Sequence, residues 1–158
     1  MLKRDIRLLL DNVRSVHNVG SIFRTAETLG ISRIYCVGTT PIPVDRFGAQ
    51  RKDFIKVSLG SEGMVPWEYL LNGTSLLKKL KKEGFKIIAL EQAKSSKNYK
   101  NVKIGKKALI ILGAEVEGVS KQLLDAADVI AEIPLSGQKE SLNVSVSAGI
   151  FLYRLLDQ

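Results

Sequence analysis

The sequence predicts an α/β domain with a mainly parallel sheet flanked by helices. Two observations carry this. Short, strongly apolar runs recur at residues 6–10, 33–38, 85–90, 108–112 and 129–133, and they read as buried strands. Segments with helical spacing of apolar residues lie between them, so strands and helices alternate along the chain.

Each element has its own signal. Residues 6–10 give the first strand, and residues 11–18 are polar and loop-like. Val19, Ile22, Phe23, Ala26 and Leu29 then mark one stripe of an amphipathic helix that Gly30 closes, with Arg24 and Glu27 off the stripe. Residues 33–38 form the second strand, completing a parallel crossover unit. Residues 39–61 carry mixed signals. Pro41 and Pro43 favour a loop, Arg46, Arg51, Lys52 and Lys56 make it basic, and residues 54–59 read as a short strand. Pro66 suits the first turn of a helix over residues 66–71 that packs Trp67. Residues 75–83 form a helix capped by Thr74 or Ser75, stopped by Gly84, with Lys78, Lys79, Lys81 and Lys82 on its solvated side. Residues 94–107 hold six lysines and Tyr99 and read as a surface connection able to touch phosphate. Ser120 caps a short helix through Leu123, Leu124 and Ala127. Val144, Ala148, Phe151, Leu152 and Leu155 place the closing helix at about residues 143–156, with Ser141 as its N-cap candidate.

Composition narrows the function. The 158 residues are read as one domain, residues 1–158, with 45% hydrophobic and 25% charged residues, ordinary for a soluble protein. A net charge of +8 favours a polyanionic partner, nucleic acid before membrane surface. Aromatic content of 6% argues against an extended base-stacking platform. The single cysteine, Cys36, lies in an apolar run, so no internal disulfide forms, and a cytoplasmic location is expected. The single histidine, His17, and the absence of CxxC or HExxH spacing predict no metal; no run is long enough to span a membrane.

Three segments carry the chemistry. They are Asn18-Val19-Gly20-Ser21-Ile22-Phe23-Arg24-Thr25-Ala26, then Leu112-Gly113-Ala114-Glu115-Val116-Glu117-Gly118, and the stretch from Ile133-Pro134-Leu135-Ser136-Gly137 through Ser141-Leu142-Asn143-Val144-Ser145 to Ile150. The last is a strand, a glycine-bearing loop and a helix start, a common place to hold a small ligand. The G-x-G-x-x-G turn of a dinucleotide fold is missing, and Glu115 and Glu117 stand between Gly113 and Gly118, where they would repel a phosphate. A cationic ligand meets no such repulsion.

In order and spacing the three segments resemble motifs 1, 2 and 3 of the SpoU class of SPOUT RNA methyltransferases, and with Pro66-Trp67-Glu68 the resemblance covers nearly the whole chain. It implies a C-terminal trefoil knot, which the hydrophobic pattern does not reveal. It also implies S-adenosylmethionine as cofactor, a tRNA or rRNA ribose 2′-hydroxyl as methyl acceptor, and a homodimer whose site combines both subunits. The interface is expected on the apolar faces of the first and last helices. Carried over residue by residue, the resemblance makes Arg24 the catalytic arginine. It matches Asn18 to the catalytic-site asparagine of motif 1, sets Ser141 and Asn143 near methyl donor and ribose, and makes Glu115 structural or an orienter of Arg24. It places the cofactor against the backbone at Leu90, Gly113, Ile133 and Leu142. Guanidinium does not lose its proton in a protein, so Arg24 suits a phosphate or a developing alkoxide better than a base role. His17, next to motif 1, is the alternative general base by residue type alone. Asn18 also suits helix capping. Many relatives carry an N-terminal RNA-binding domain; none is expected here. The alternative function is a non-catalytic RNA-binding protein on the same scaffold.

Overall fold

The computed structural model describes residues 3–156. Among them, seven strands form one sheet in the order β3-β2-β1-β6-β4-β7-β5. These are β1 (Asp5–Asp11), β2 (Arg33–Val37), β3 (Trp67–Leu70), β4 (Lys86–Leu90), β5 (Lys97–Asn98), β6 (Lys107–Gly113) and β7 (Val129–Glu132). Every neighbouring pair is parallel. All C-terminal strand ends therefore share one edge of the sheet.

Helices cover both faces, which is why the strand runs are continuously apolar. Helices α1 (Val16–Thr28), α2 (Lys52–Ser58) and α5 (Val144–Leu155) cover one face; α3 (Thr74–Lys82) and α4 (Lys121–Ala126) cover the other. Successive strand residues alternate between the two cores. Leu8 and Leu10 of β1, with Ala108, Ile110 and Leu112 of β6, join the first; Leu9, Leu109 and Ile111 join the second. Cys36 is buried in the first core, and burial pushes its thiol up to about 12. Among the described residues, no helix is long and apolar enough to cross a membrane, and no cluster of three His, Cys, Asp or Glu could hold a metal.

Several sequence expectations are corrected. Residues 54–58 are helical, not extended, and Leu59 ends the helix in the left-handed conformation. Phe54 turns inward to meet Phe23 edge-on, ring centroids 5.3 Å apart, and α2 closes on α1 because a Cβ at Gly20 would stand only 2.8 Å from Val57 Cβ. The 66–71 stretch is not a helix. Residues Trp67–Leu70 are the edge strand beside β2, and the Pro66 carbonyl accepts from the Ile34 amide at 2.9 Å. Proline costs nothing at such a strand start. Helix α1 begins inside the expected loop, at Val16, because Ser15 caps it and accepts from the Asn18 amide at 3.2 Å. Neither Thr74 nor Ser75 caps α3. The capping position is Gly73, and the Asn72 side chain accepts from the Thr74 amide at 3.3 Å. Finally, the apolar face of α1 is spent in the core, where Val19, Ile22, Phe23 and Ala26 are fully buried. It cannot also face a partner. Helix α5 differs, because beyond its buried face it exposes Val146, Ile150 and Tyr153.

Candidate active site

The C-terminal ends of β4, β6 and β7 and the start of α5 enclose a cleft of about 440 Å³. That volume lies within the usual small-molecule range of about 300–1,000 Å³. The segment after β6 shapes the cleft by folding back across its own strand end. Ala114 and Gly118 exchange backbone hydrogen bonds at 3.1 and 2.9 Å, and Gly118 takes φ +70°, which favours glycine. A Cβ on Gly113 would overlap the Val119 amide and the Gly118 carbonyl, so the close turn requires glycine there.

Two carboxylates fasten this turn from either side. Strand β6 lies between β1 and β4. Asp11 ends β1, and its Oδ2 accepts from the Ser120 amide at 2.7 Å. Glu91 follows β4, and its Oε2 accepts from the Val119 amide at 2.8 Å. Two successive N–H groups are thus satisfied by charged acceptors, the stronger class of hydrogen bond. Sequence reasoning missed both residues. Their signal was visible, since each carboxylate directly ends an apolar strand run, at a strand end where function collects.

A third fastening reaches across the chain. The Asn143 Oδ1 accepts from the amides of Ser145 (2.9 Å) and Val146 (3.3 Å), capping α5. That bond fixes which end of the carboxamide faces outward, so Nδ2 donates to Asn18 Oδ1 at 3.0 Å. Asn18 in turn donates from Nδ2 to Glu115 Oε1 at 2.7 Å. The relay Asn143–Asn18–Glu115 ties α5, α1 and the turn after β6 into one unit. Its polarity is set by the helix amides at one end and a carboxylate, which only accepts, at the other.

Among the sequence-predicted cofactor residues, Leu90, Gly113, Ile133 and Leu142 all line the cleft, as do Ser141 and Glu115. Asn18 and Asn143 sit behind it, joined to Glu115 by the relay. Two expectations change. Asn143, not Ser141, caps α5; Ser141 stands in the preceding loop, among the residues that line the cleft. Asn18 does not cap α1, because Ser15 does, and this frees its carboxamide for the relay. Glu115 pairs with Asn18 rather than with Arg24. Arg24 is not among the cleft-lining residues. It is exposed, lies about 9 Å along α1 from Asn18, and makes no hydrogen bond or ion pair among the described residues. His17 is exposed as well.

The electrostatics of the cleft are one-sided. Glu91, Glu115, Glu117, Glu132 and Glu140 line it, and among the described residues no lysine or arginine does. Among the described residues one ion pair touches it, an exposed one at its rim, Arg14 to Glu117 at 3.4 Å. A phosphate would meet an excess of negative charge in this space, whereas a ligand carrying positive charge would meet its complement. Three strand ends also bring backbone groups to the cleft wall, where a polar ligand can meet them.

Comparison with known proteins agrees with this geometry. The SpoU rRNA Methylase family model matches residues 5–153. A tRNA (guanosine(18)-2′-O)-methyltransferase of Aquifex aeolicus is 32% identical over 96% of this chain, and an uncharacterized tRNA/rRNA methyltransferase of Archaeoglobus fulgidus is 35% identical over 96%. The chain spans 68% and 64% of those two relatives. The crystal structure of the Aquifex aeolicus TrmH/SpoU tRNA modifying enzyme superposes with a TM-score of 0.86 at 31% identity, covering 99% of this chain and 76% of that one. An AdoMet-bound rRNA methyltransferase from Sinorhizobium meliloti gives 0.85 at 28% identity, covering 96% and 56%. With the family model spanning almost the full length and the cleft built from the segments that carry its motifs, the chain belongs to the SpoU rRNA methylase family.

Proposed function

We propose that this protein transfers a methyl group from S-adenosylmethionine to a ribose 2′-hydroxyl of tRNA or rRNA. The observation that carries the reading is the cleft at the ends of β4, β6 and β7, acidic and free of lysine and arginine among the described residues. Its donor set fits the cofactor: carboxylates beside a sulfonium, and backbone groups at Leu90, Gly113, Ile133 and Leu142 for its polar ends. The AdoMet-bound relative from Sinorhizobium meliloti supports the same assignment. When bound, the cofactor supplies an electrophilic methyl group. The chain's task is then to hold the ribose in line with it and to stabilise the oxygen as it loses its proton. Ser141, beside the cleft, and Asn143, fixed by the relay, orient the sugar. Arg24 keeps its proton and stabilises the developing alkoxide or the adjacent phosphate.

Arg24 lies outside its own cleft, so a shared site in a homodimer accounts for it. Val146, Ile150 and Tyr153 recur on one stripe of α5, exposed at 49%, 38% and 43%. Tyr153 Oη stands 3.5 Å from Thr28 Oγ1, and Thr28 is one turn after Arg24 on α1. A second copy seated on this stripe would carry Arg24 toward its neighbour's cleft. A trefoil knot in the C-terminal part is also proposed. It is supported by the sheet order, which inserts β6 between β1 and β4, and by the fastened turn after β6.

The test is transfer of labelled methyl from S-adenosylmethionine into bulk tRNA and bulk rRNA. An alkali-resistant labelled dinucleotide marks 2′-O-methylation. Label in that form supports the reading. Label on a base would refute the ribose assignment, and cofactor and RNA binding without transfer would favour a non-catalytic RNA-binding protein.

A further inference from the structure

We propose that Phe47, on the loop between β2 and α2, stacks on a nucleobase of the RNA beside the methylation site. This rests on the RNA reading above. Residues 44–51 form a small, self-satisfied loop. Val44 and Gln50 pair as an antiparallel bridge, and Asp45 and Ala49 join at 2.8 Å through the Asp45 amide. The Asp45 Oδ1 accepts from the amides of Phe47 (2.8 Å) and Ala49 (3.0 Å), while Gly48 turns the chain at φ +80°. The loop is thus ordered without help from any ligand, and it displays its phenyl ring 79% exposed.

A lone exposed phenyl is ordinary. Its surroundings are not. The Arg46 guanidinium lies over the ring, 4.7 Å from its centre. Arg46, Lys52 and Lys56 have no carboxylate partner among the described residues, whereas Asp45 caps its own loop and Asp53 is held by Arg51 at 2.7 Å. Of the three, Arg46 is the one set against the ring, and no carboxylate keeps its guanidinium from a phosphate. The sequence neighbours of Phe47 from Asp45 to Gln50 are exposed, and polar or small. That is a poor patch for burying protein, yet an exposed aromatic ring with a guanidinium against it is what a stacked base with its phosphate needs.

The loop is also in the right place. It leaves the C-terminal end of β2, the edge that holds the cleft, and β2 is two strands from β6. Strand spacing puts those two strand ends about 10 Å apart, so the loop starts on the same edge as the cleft, where RNA carrying the target ribose would lie. Stacking tolerates any base, so Phe47 contributes grip rather than sequence choice.

The experiment compares the full chain with Phe47→Ala and Phe47→Trp. Removing the ring should weaken binding of tRNA or rRNA about 5- to 100-fold. KM for RNA should rise while kcat, S-adenosylmethionine affinity and sedimentation stay unchanged. The tryptophan variant should bind like the original, and its added emission should be quenched by RNA. Unchanged RNA affinity in Phe47→Ala, with the original chain binding RNA, would overturn this inference alone. A change in sedimentation would overturn it by making the loop a contact between copies. A chain that binds no RNA at all would overturn both this inference and the proposed function.

Discussion

The C-terminal edge of the sheet divides into two halves of opposite character. Over β4, β6 and β7 the surface is concave and lined by five glutamates. Its backbone is fastened by Asp11, Glu91 and the Asn143–Asn18–Glu115 relay. Past the end of β2, the segment that runs through the loop into α2 carries Arg46, Lys52 and Lys56 without carboxylate partners among the described residues, and displays an exposed phenyl ring. A net charge of +8 describes the whole chain and neither half. The difference teaches how one edge can serve two ligands of opposite charge. The acidic half favours a compact cation and disfavours phosphate, while the basic half attracts a polyanion. A uniformly basic edge would bring RNA phosphate into competition for the cofactor space.

The comparison can be broken at several points. Arg24→Ala should leave fold and cofactor affinity intact yet lower transfer by about 100-fold or more, the scale for losing one preorganised charge stabiliser; single-turnover assays check this, and near-normal turnover would remove Arg24 from the mechanism. Mixing that variant with a cleft-defective one should restore part of the activity if sites are shared. RNA affinity should fall tenfold or more between 50 and 200 mM salt, as expected when about three or more phosphates are neutralised, while cofactor affinity stays nearly flat. Filter binding and calorimetry separate the two, and equal salt slopes would erase the division. Gly113→Ala forces a Cβ into the Val119 amide. Overpacking of this kind costs about 1–3 kcal/mol, and cofactor binding should weaken with it. Glu91→Ala leaves the Val119 amide unpaired, at a cost of about 1–3 kcal/mol. Thermal unfolding should show a fall in Tm of several degrees, with less loss in Glu91→Gln, which keeps an acceptor.

Much of this architecture was legible because a parallel sheet buried on both faces writes its strands as apolar runs. The five long runs became β1, β2, β4, β6 and β7 with ends shifted by a residue or so. Short elements were not legible. Phe54, Ile55, Val57 and Leu59 look like a strand by residue type, but the first three are helical, with Phe54 packed on Phe23, and Leu59 ends the helix. Pro66 signals a helix start equally well as a strand start, and only the pairing of Trp67 with Ile34 decides. In the site, the motif resemblance singles out Leu90, Gly113, Glu115, Ile133, Ser141 and Leu142, which line the cleft, and also Asn18, Arg24 and Asn143, which do not. The relay was invisible, since Asn18, Glu115 and Asn143 meet across 97 and 125 residues of chain. The choice between Ser141 and Asn143 as cap depends on where the chain turns, and residue type alone ranks them equal. Asp11 and Glu91 were readable as carboxylates ending strands, but their partners are backbone amides, which leave no mark in a sequence.

The most direct measurement is calorimetric titration with S-adenosylmethionine, in the absence and then the presence of saturating RNA, with S-adenosylhomocysteine and NADH as comparators. The account predicts that both methionine-derived ligands bind, that NADH does not, and that RNA leaves the cofactor affinity within a few-fold of its value alone. Binding of NADH, or displacement of S-adenosylmethionine by RNA, would contradict an acidic cofactor cleft set apart from a basic RNA surface.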